Sequence, residues 1–268
     1  MSRIRTRFDS LAARRARALI GYIVAGDATS GPGLMRALTA GGADVIELGM
    51  PFSDPMAEGP IIQRAHERAL SAGTSVPGVL EQAAAFRRVD EDTPVVLMGY
   101  LNPLERYGCT AFAADARTAG VDAVLCVDCP AGERSPLERA LEAEGLEKIQ
   151  LIAPTTAPGR CREILTHASG FAYAITLRGV TGAADLEVEA VRARTAELKA
   201  LSDIPVVAGF GIKSPGDAAR LSEVCDGVVI GSALVGAVGG CDNAEAAAVQ
   251  LEMLMHSYRT AIDSGNPA

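Results

Sequence analysis

The 268-residue chain lacks any apolar run near the ~18 residues that a membrane-spanning helix needs, which argues against a helical membrane protein. It also lacks a positive excess. Its 25 Lys and Arg residues face 33 Asp and Glu, a net charge of −8, so neither nucleic acid nor an anionic membrane is an expected partner. Any phosphate must therefore be held locally. Cysteine is sparse and scattered: Cys109, Cys126, Cys129, Cys161, Cys225 and Cys241 lack the density of a disulfide scaffold and predict reduced thiols in a cytoplasmic chain. The three histidines, His66, His167 and His256, fall in helical patterns rather than at strand ends, so no metal site is predicted. Lysine is as scarce. Lys148 opens a strand and Lys199 belongs to a helical segment, which leaves Lys213 as the one conceivable Schiff-base amine, better suited to phosphate contact or exposure. No GxSxG elbow occurs, and no GxGxxG follows the first strand pattern.

What is present is a repeating unit. Apolar residues make up 49 %, enough for a large core. Eight short apolar runs, 18–25, 44–50, 94–100, 123–128, 149–153, 170–176, 204–210 and 227–232, each end in a Gly, Asp or Pro signal and lead into a segment of helical spacing. Their starts are separated by 26, 50, 29, 26, 21, 34 and 23 residues, mostly one βα unit each. With no linker to divide them, the pattern predicts an α/β fold, a single-domain (β/α)8 TIM barrel over residues 1–268. The first 17 residues carry six arginines (Arg3, Arg5, Arg7, Arg14, Arg15 and Arg17) and are expected to form a basic helix covering the barrel bottom rather than a targeting peptide. The two widest gaps predict extended loops after strands 2 and 6, on the strand-end face where barrels build active sites.

Strand 2, Asp44 to Met50, places Val45, Glu47 and Gly49 on one face and Ile46 and Leu48 on the other. A carboxylate inside an apolar barrel would have a raised pKa, suited to giving and taking a proton near neutrality. Strand parity leaves an outward, salt-bridged Glu47 equally open. Glu58, in the Pro- and Gly-rich loop 51–60, offers a second acid, although a loop glutamate is usually solvated. Gly179 to Gly182, Gly209 to Gly211 and Gly231-Ser232 follow strands 6, 7 and 8, where backbone N–H groups and helix N-termini commonly hold phosphate; the last two are expected to open helices. Cys126 and Cys129 form a CxxC. Continued strand alternation would turn them to opposite faces, so a structural role is expected.

The segment from Glu47 to Pro60, ELGMPFSDPMAEGP, resembles the signature of tryptophan synthase α subunits. The likeness extends through Ala25-Gly26-Asp27, Tyr100 to Pro103, Val127 to Pro130, Gly179 to Gly182, Gly209 to Ile212 and Gly231-Ser232. The resemblance implies a barrel that splits indole-3-glycerol phosphate into indole and glyceraldehyde 3-phosphate in tryptophan biosynthesis. It casts Glu47 and Glu58 as the catalytic carboxylates, with Tyr173 close to Glu47. It assigns Tyr22, Leu125 and Phe210 to the substrate pocket, and Thr181, Gly182, Gly211, Gly231 and Ser232 to the phosphate end. Pro51, Phe52, Asp54, Asn102 and Pro103 match places that meet a β subunit in an α₂β₂ complex. Pyridoxal phosphate is expected only in that partner, and no cofactor in this chain. The family usually has Asp where this chain has Glu58. That departure leaves two alternatives beside the main expectation: a stand-alone lyase for secondary metabolism, and a weakly active barrel that mainly activates a β subunit.

Overall fold

The computed structural model describes residues 2–27, 31–175, 184–209 and 211–265. Along them run α1 (Arg3–Ala13), β1 (Ala18–Val24), α2 (Gly31–Ala40), β2 (Val45–Gly49), α3 (Pro60–Ser71), α4 (Val76–Arg87), β3 (Val95–Gly99), α5 (Leu101–Tyr107), α6 (Cys109–Thr118) and β4 (Ala123–Cys126). Then come α7 (Pro136–Ala143), β5 (Glu147–Lys148), β6 (Gln150–Ile152), α8 (Pro158–His167), β7 (Ala172–Ile175), α9 (Ala184–Lys199), β8 (Val206–Gly209), α10 (Pro215–Ser222), β9 (Gly227–Ile230), α11 (Ser232–Gly239) and α12 (Ala244–Gly265). The strands pair in parallel in the order β5-β4-β3-β2-β1-β9-β8-β7-β6. The two ends of that order are neighbours in sequence, with only Ile149 between them. The Ile149 N–H donates to the Val124 carbonyl at 3.1 Å, and the Ser169 N–H to the Lys148 carbonyl at 2.9 Å. β5 and β6 are thus two halves of one barrel strand, the first leaning on β4 and the second on β7, and the sheet wraps into a nearly closed cylinder.

Parallel strands covered on both faces read as near-continuous apolar runs, which is why periodicity alone left the strand faces unassigned. Packing assigns them. Ile20, Tyr22, Val24, Val45, Val96, Met98, Leu125, Tyr173, Val207 and Val229 form the cluster inside the barrel, while Leu19, Ile23, Ile46, Leu48, Leu97, Val124 and Val228 face the helices.

Charge closes the bottom of the cylinder. Asp44, Asp122 and Asp226, each just ahead of a strand, accept backbone N–H bonds from Leu19 (3.0 Å), Val95 (2.8 Å) and Val206 (2.9 Å) on the preceding strand. Arg7 and Arg259 pair with Asp44, Arg3 and Arg87 with Asp122, and Lys199 with Asp226. Arg3 and Arg7 of α1 are thus counter-ions for strand-capping aspartates, and its Ile4, Phe8 and Leu11 pack into the barrel's inner cluster, Phe8 5.8 Å from Phe171 between ring centroids. The helix stops at Ala13, short of residue 17.

Three expectations change. The 50-residue gap after β2 holds two helices, α3 and α4, so only its first part is an extended loop. The fourth run ends at Cys126 rather than Asp128: Val127 and Asp128 form a turn, strand alternation stops, and the Cys126 and Cys129 thiols meet instead of facing apart. Gly209 to Gly211 does not open a helix; Gly211 has φ +82°, and α10 starts at Pro215 behind a capping box of Ser214 and Asp217. The loop expected after strand 6, residues 176–183, lies outside the described residues. Among the described residues, no helix is long and apolar enough to cross a membrane.

Candidate active site

The register pairs Glu47 with Tyr22 of β1 and Val96 of β3, both inside the barrel. Glu47 is 1 % exposed, and its Oε1 has no hydrogen-bond partner. A buried acceptor with nothing to accept from is costly in a finished core, and it points to an atom that arrives with a ligand. Burial, reinforced by the nearby Glu58 charge, pushes the Glu47 carboxyl up to about 8. Tyr22 and Tyr173 are both buried with phenols well above their ordinary range, first through desolvation; Glu47 adds repulsion at each, and Glu58 at Tyr22. The inward orientation left open by strand parity is therefore the one adopted.

Glu58 is not a solvated loop charge. It is 8 % exposed at the end of the loop that follows β2, and the hydroxyl of buried Tyr100 donates to its Oε2. The same phenol oxygen accepts the Ala57 N–H at 3.1 Å. Desolvation raises the Glu58 pKa, while the Tyr100 hydrogen bond opposes the rise. The Tyr100 ring stacks on Phe52, centroids 5.1 Å apart. The Phe52 N–H donates to Nδ1 of His66 at 3.0 Å. With Nδ1 accepting, the neutral ring carries its proton on Nε2, which faces Tyr22 Oη at 3.4 Å. Burial holds His66 down at about 4, so the ring stays neutral. The loop is thus clamped from α3 and from the residue after β3, and the clamp ends on Tyr22, opposite Glu47.

Tyr100 and His66 are site residues that sequence patterns missed. Tyr100 directly follows a barrel strand, which was an available signal; His66, inside a helical pattern, gave none. A Tyr100→Phe variant should fold normally yet lower kcat about tenfold, since a hydrogen bond to a charged group contributes roughly 1.5–3 kcal/mol. Because that bond favours the ionised Glu58, its loss raises the Glu58 pKa further, and the acid limb of the kcat profile should move to higher pH. An unmoved acid limb would detach Tyr100 from the chemistry.

After β9, which pairs with β1 on the side away from β2, Gly231 is the N-cap of α11 and Ser232 its first residue, with no side chain capping the helix end. Its free N–H groups have the make-up of an anion site. Leu125 is fully buried inside the barrel on β4. Thr181, Gly182 and Phe210 lie outside the described residues. Of the lysines, Lys148 pairs with Glu142 and Lys199 with Asp226, while Lys213 is exposed, so none offers an amine within the barrel. Among the described residues, no His, Cys, Asp and Glu group is arranged to hold a metal ion. Of the candidate partner contacts, Asp54 and Asn102 are exposed, Phe52 and Pro103 half-buried and Pro51 buried; Met56 beside them is 82 % exposed.

Fold and site together have the make-up of a (β/α)-barrel enzyme with two buried carboxyl groups at its mouth. The family model described as tryptophan synthase alpha chain matches residues 8–263. Tryptophan synthase alpha chains of Nitrosococcus oceani and Laribacter hongkongensis are 46 % and 48 % identical to it, with 98 % of this chain aligned to 98 % and 100 % of theirs. The crystal structure of tryptophan synthase subunit alpha from Legionella pneumophila superposes with a TM-score of 0.89 at 40 % identity, over 98 % of this chain and 99 % of that one. Tryptophan synthase from M. tuberculosis in an aminoacrylate-bound form gives 0.85 at 34 % identity, covering 98 % and 100 %. The chain belongs to the tryptophan synthase alpha chain family.

Proposed function

We propose that this chain cleaves indole-3-glycerol phosphate to indole and glyceraldehyde 3-phosphate through Glu47 and Glu58. The observation that carries this reading is Glu47: a carboxyl inside an apolar cylinder, protonated near neutrality, with an oxygen that has no partner. Protonated Glu47 delivers its proton to indole C3. The Glu58 carboxylate, seated on Tyr100, favours the positive charge that develops at the indole nitrogen. Glu47, now anionic, takes the proton of the glycerol hydroxyl next to the scissile bond. That bond breaks, its electron pair returns to the indole ring, the aldehyde forms, and Glu47 ends protonated as it began. The ring nitrogen is the electron sink that a Schiff-base lysine or a metal provides in other aldol cleavages. Tyr173 and Tyr22 flank the reacting atoms, Leu125 and Phe210 line the pocket, and Thr181, Gly182, Gly211, Gly231 and Ser232 hold the phosphate.

This chemistry uses the chain's own side chains and no cofactor. Pyridoxal phosphate belongs to a β subunit, which we place against Pro51, Phe52, Asp54, Asn102 and Pro103 in an α₂β₂ complex in the cytoplasm. The seating of Glu58 on Tyr100 supports a working lyase over a barrel that only activates its partner. Indole release from indole-3-glycerol phosphate, measured with and without β subunit, tests the reading: stimulation by the partner is expected. Absence of indole in both arms overturns it, and full turnover without the partner favours the stand-alone lyase.

A further inference from the structure

The CxxC at the end of β4 is not used by this chemistry. Cys126 closes the strand, and Cys129 lies across a turn in which the Cys129 N–H donates to the Cys126 carbonyl at 3.4 Å. Such a turn keeps the two Cα atoms within about 7 Å, close to the ~4.4–6.8 Å that a disulfide spans. The two thiols are close enough to shift each other's ionisation. Cys129 Sγ is also 3.4 Å from Ser135 Oγ, and Cys126 Sγ donates to Asp128 Oδ1 at 3.5 Å. Both cysteines are free, Cys126 half-buried and Cys129 8 % exposed.

We propose that Cys126 and Cys129 form a redox-active dithiol that a peroxide closes to an intramolecular disulfide. The Cys129 thiolate attacks one peroxide oxygen and breaks the O–O bond, giving a sulfenic acid and, after protonation, water. Cys126 sulfur then attacks the sulfenic sulfur, forms the S–S bond and releases a second water. Two thiols are oxidised by two electrons and one peroxide is reduced to two waters. The roles follow from the surroundings. The neighbouring Cys126 thiol and the Ser135 hydroxyl bring Cys129 down to about 7, whereas the Cys129 thiol and burial hold Cys126 up. Asp128 on the turn and Glu138 on α7 oppose ionisation of Cys129, and Lys148 of β5 lines the same small cavity. Cys109 on α6 is close enough for its own pKa to respond to Cys129, which makes it the competing thiol.

The test treats the full chain with hydrogen peroxide, blocks remaining thiols by alkylation, and maps the products by mass spectrometry. The expected product is lighter by two hydrogens, linked between residues 126 and 129, and restored by dithiothreitol. Cys126→Ser should leave Cys129 as a sulfenic acid that dimedone traps, and Cys129→Ser should yield no link. A disulfide running through Cys109, or a wild-type chain that keeps six alkylatable thiols while peroxide converts its methionines, overturns the proposal. The wild-type map decides by itself should either serine variant fold poorly.

Discussion

Replacing Glu47 by glutamine is expected to lower kcat for indole release by roughly 10³–10⁴-fold, the upper part of the range for a positioned proton-transfer group, because one carboxyl serves both as acid and as base. Substrate binding should change little, since glutamine fills the same space among Tyr22, Val96 and Val45. The same variant should gain stability relative to the wild type as pH rises. With the Glu47 carboxyl at about 8 in the folded chain and 4.5 as its ordinary value, the folded state keeps a proton between those limits that the unfolded state has released. Its contribution to stability is therefore complete below pH 4.5 and is lost progressively up to about pH 8, at about 1.4 kcal/mol per pH unit, a few kcal/mol in all. The glutamine amide cannot ionise and avoids that loss. Urea unfolding of both proteins at pH 5 and pH 8 should show the Glu47→Gln advantage growing toward the higher pH. A constant difference, or activity retained, would mean that this carboxyl ionises freely and has no part in the reaction. For the wild type, the acid form is needed first, so kcat/KM should fall as pH rises through about 8.

Much of this arrangement is legible in the sequence, and what is not has a physical cause in each case. The eight apolar runs are strands because parallel sheets bury both faces, and that same continuity erased the alternation that would have assigned Glu47 to the interior. Only the register of β1 with β2 and β3, which sets Glu47 beside Tyr22 and Val96, resolved it. Glu58 read as an ordinary loop charge because its burial depends on Tyr100, 42 residues further along the chain. Local patterns carry no information about such a contact. The CxxC failed for a boundary reason: extending the fourth strand by two residues reversed where Cys129 points. The basic N-terminal segment was legible as a bottom cover, while its charge partners, Asp44 and Asp122, became visible only as strand caps.

Glu58→Ala should lower kcat by on the order of 10²–10³, the usual consequence of removing one preorganised group that stabilises developing charge in a buried site. It should also move the pH profile in a direction that a purely structural loop residue would not produce. The Glu58 charge is one of the two causes that hold Glu47 high, so its removal lowers the Glu47 pKa and shifts the alkaline limb of kcat/KM to lower pH. Glu58→Asp separates charge from reach. It keeps a carboxylate near Glu47, so the alkaline limb should stay close to its wild-type place. The side chain is one methylene shorter and withdraws from Tyr100, so kcat should change by about tenfold or less, upward if the longer side chain is held too firmly on the phenol. Paired pH profiles of the two variants decide between these roles. If Glu58→Ala leaves the alkaline limb where it was and both variants turn over equally, Glu58 neither senses Glu47 nor meets the indole nitrogen, and the two-carboxylate mechanism reduces to Glu47 alone.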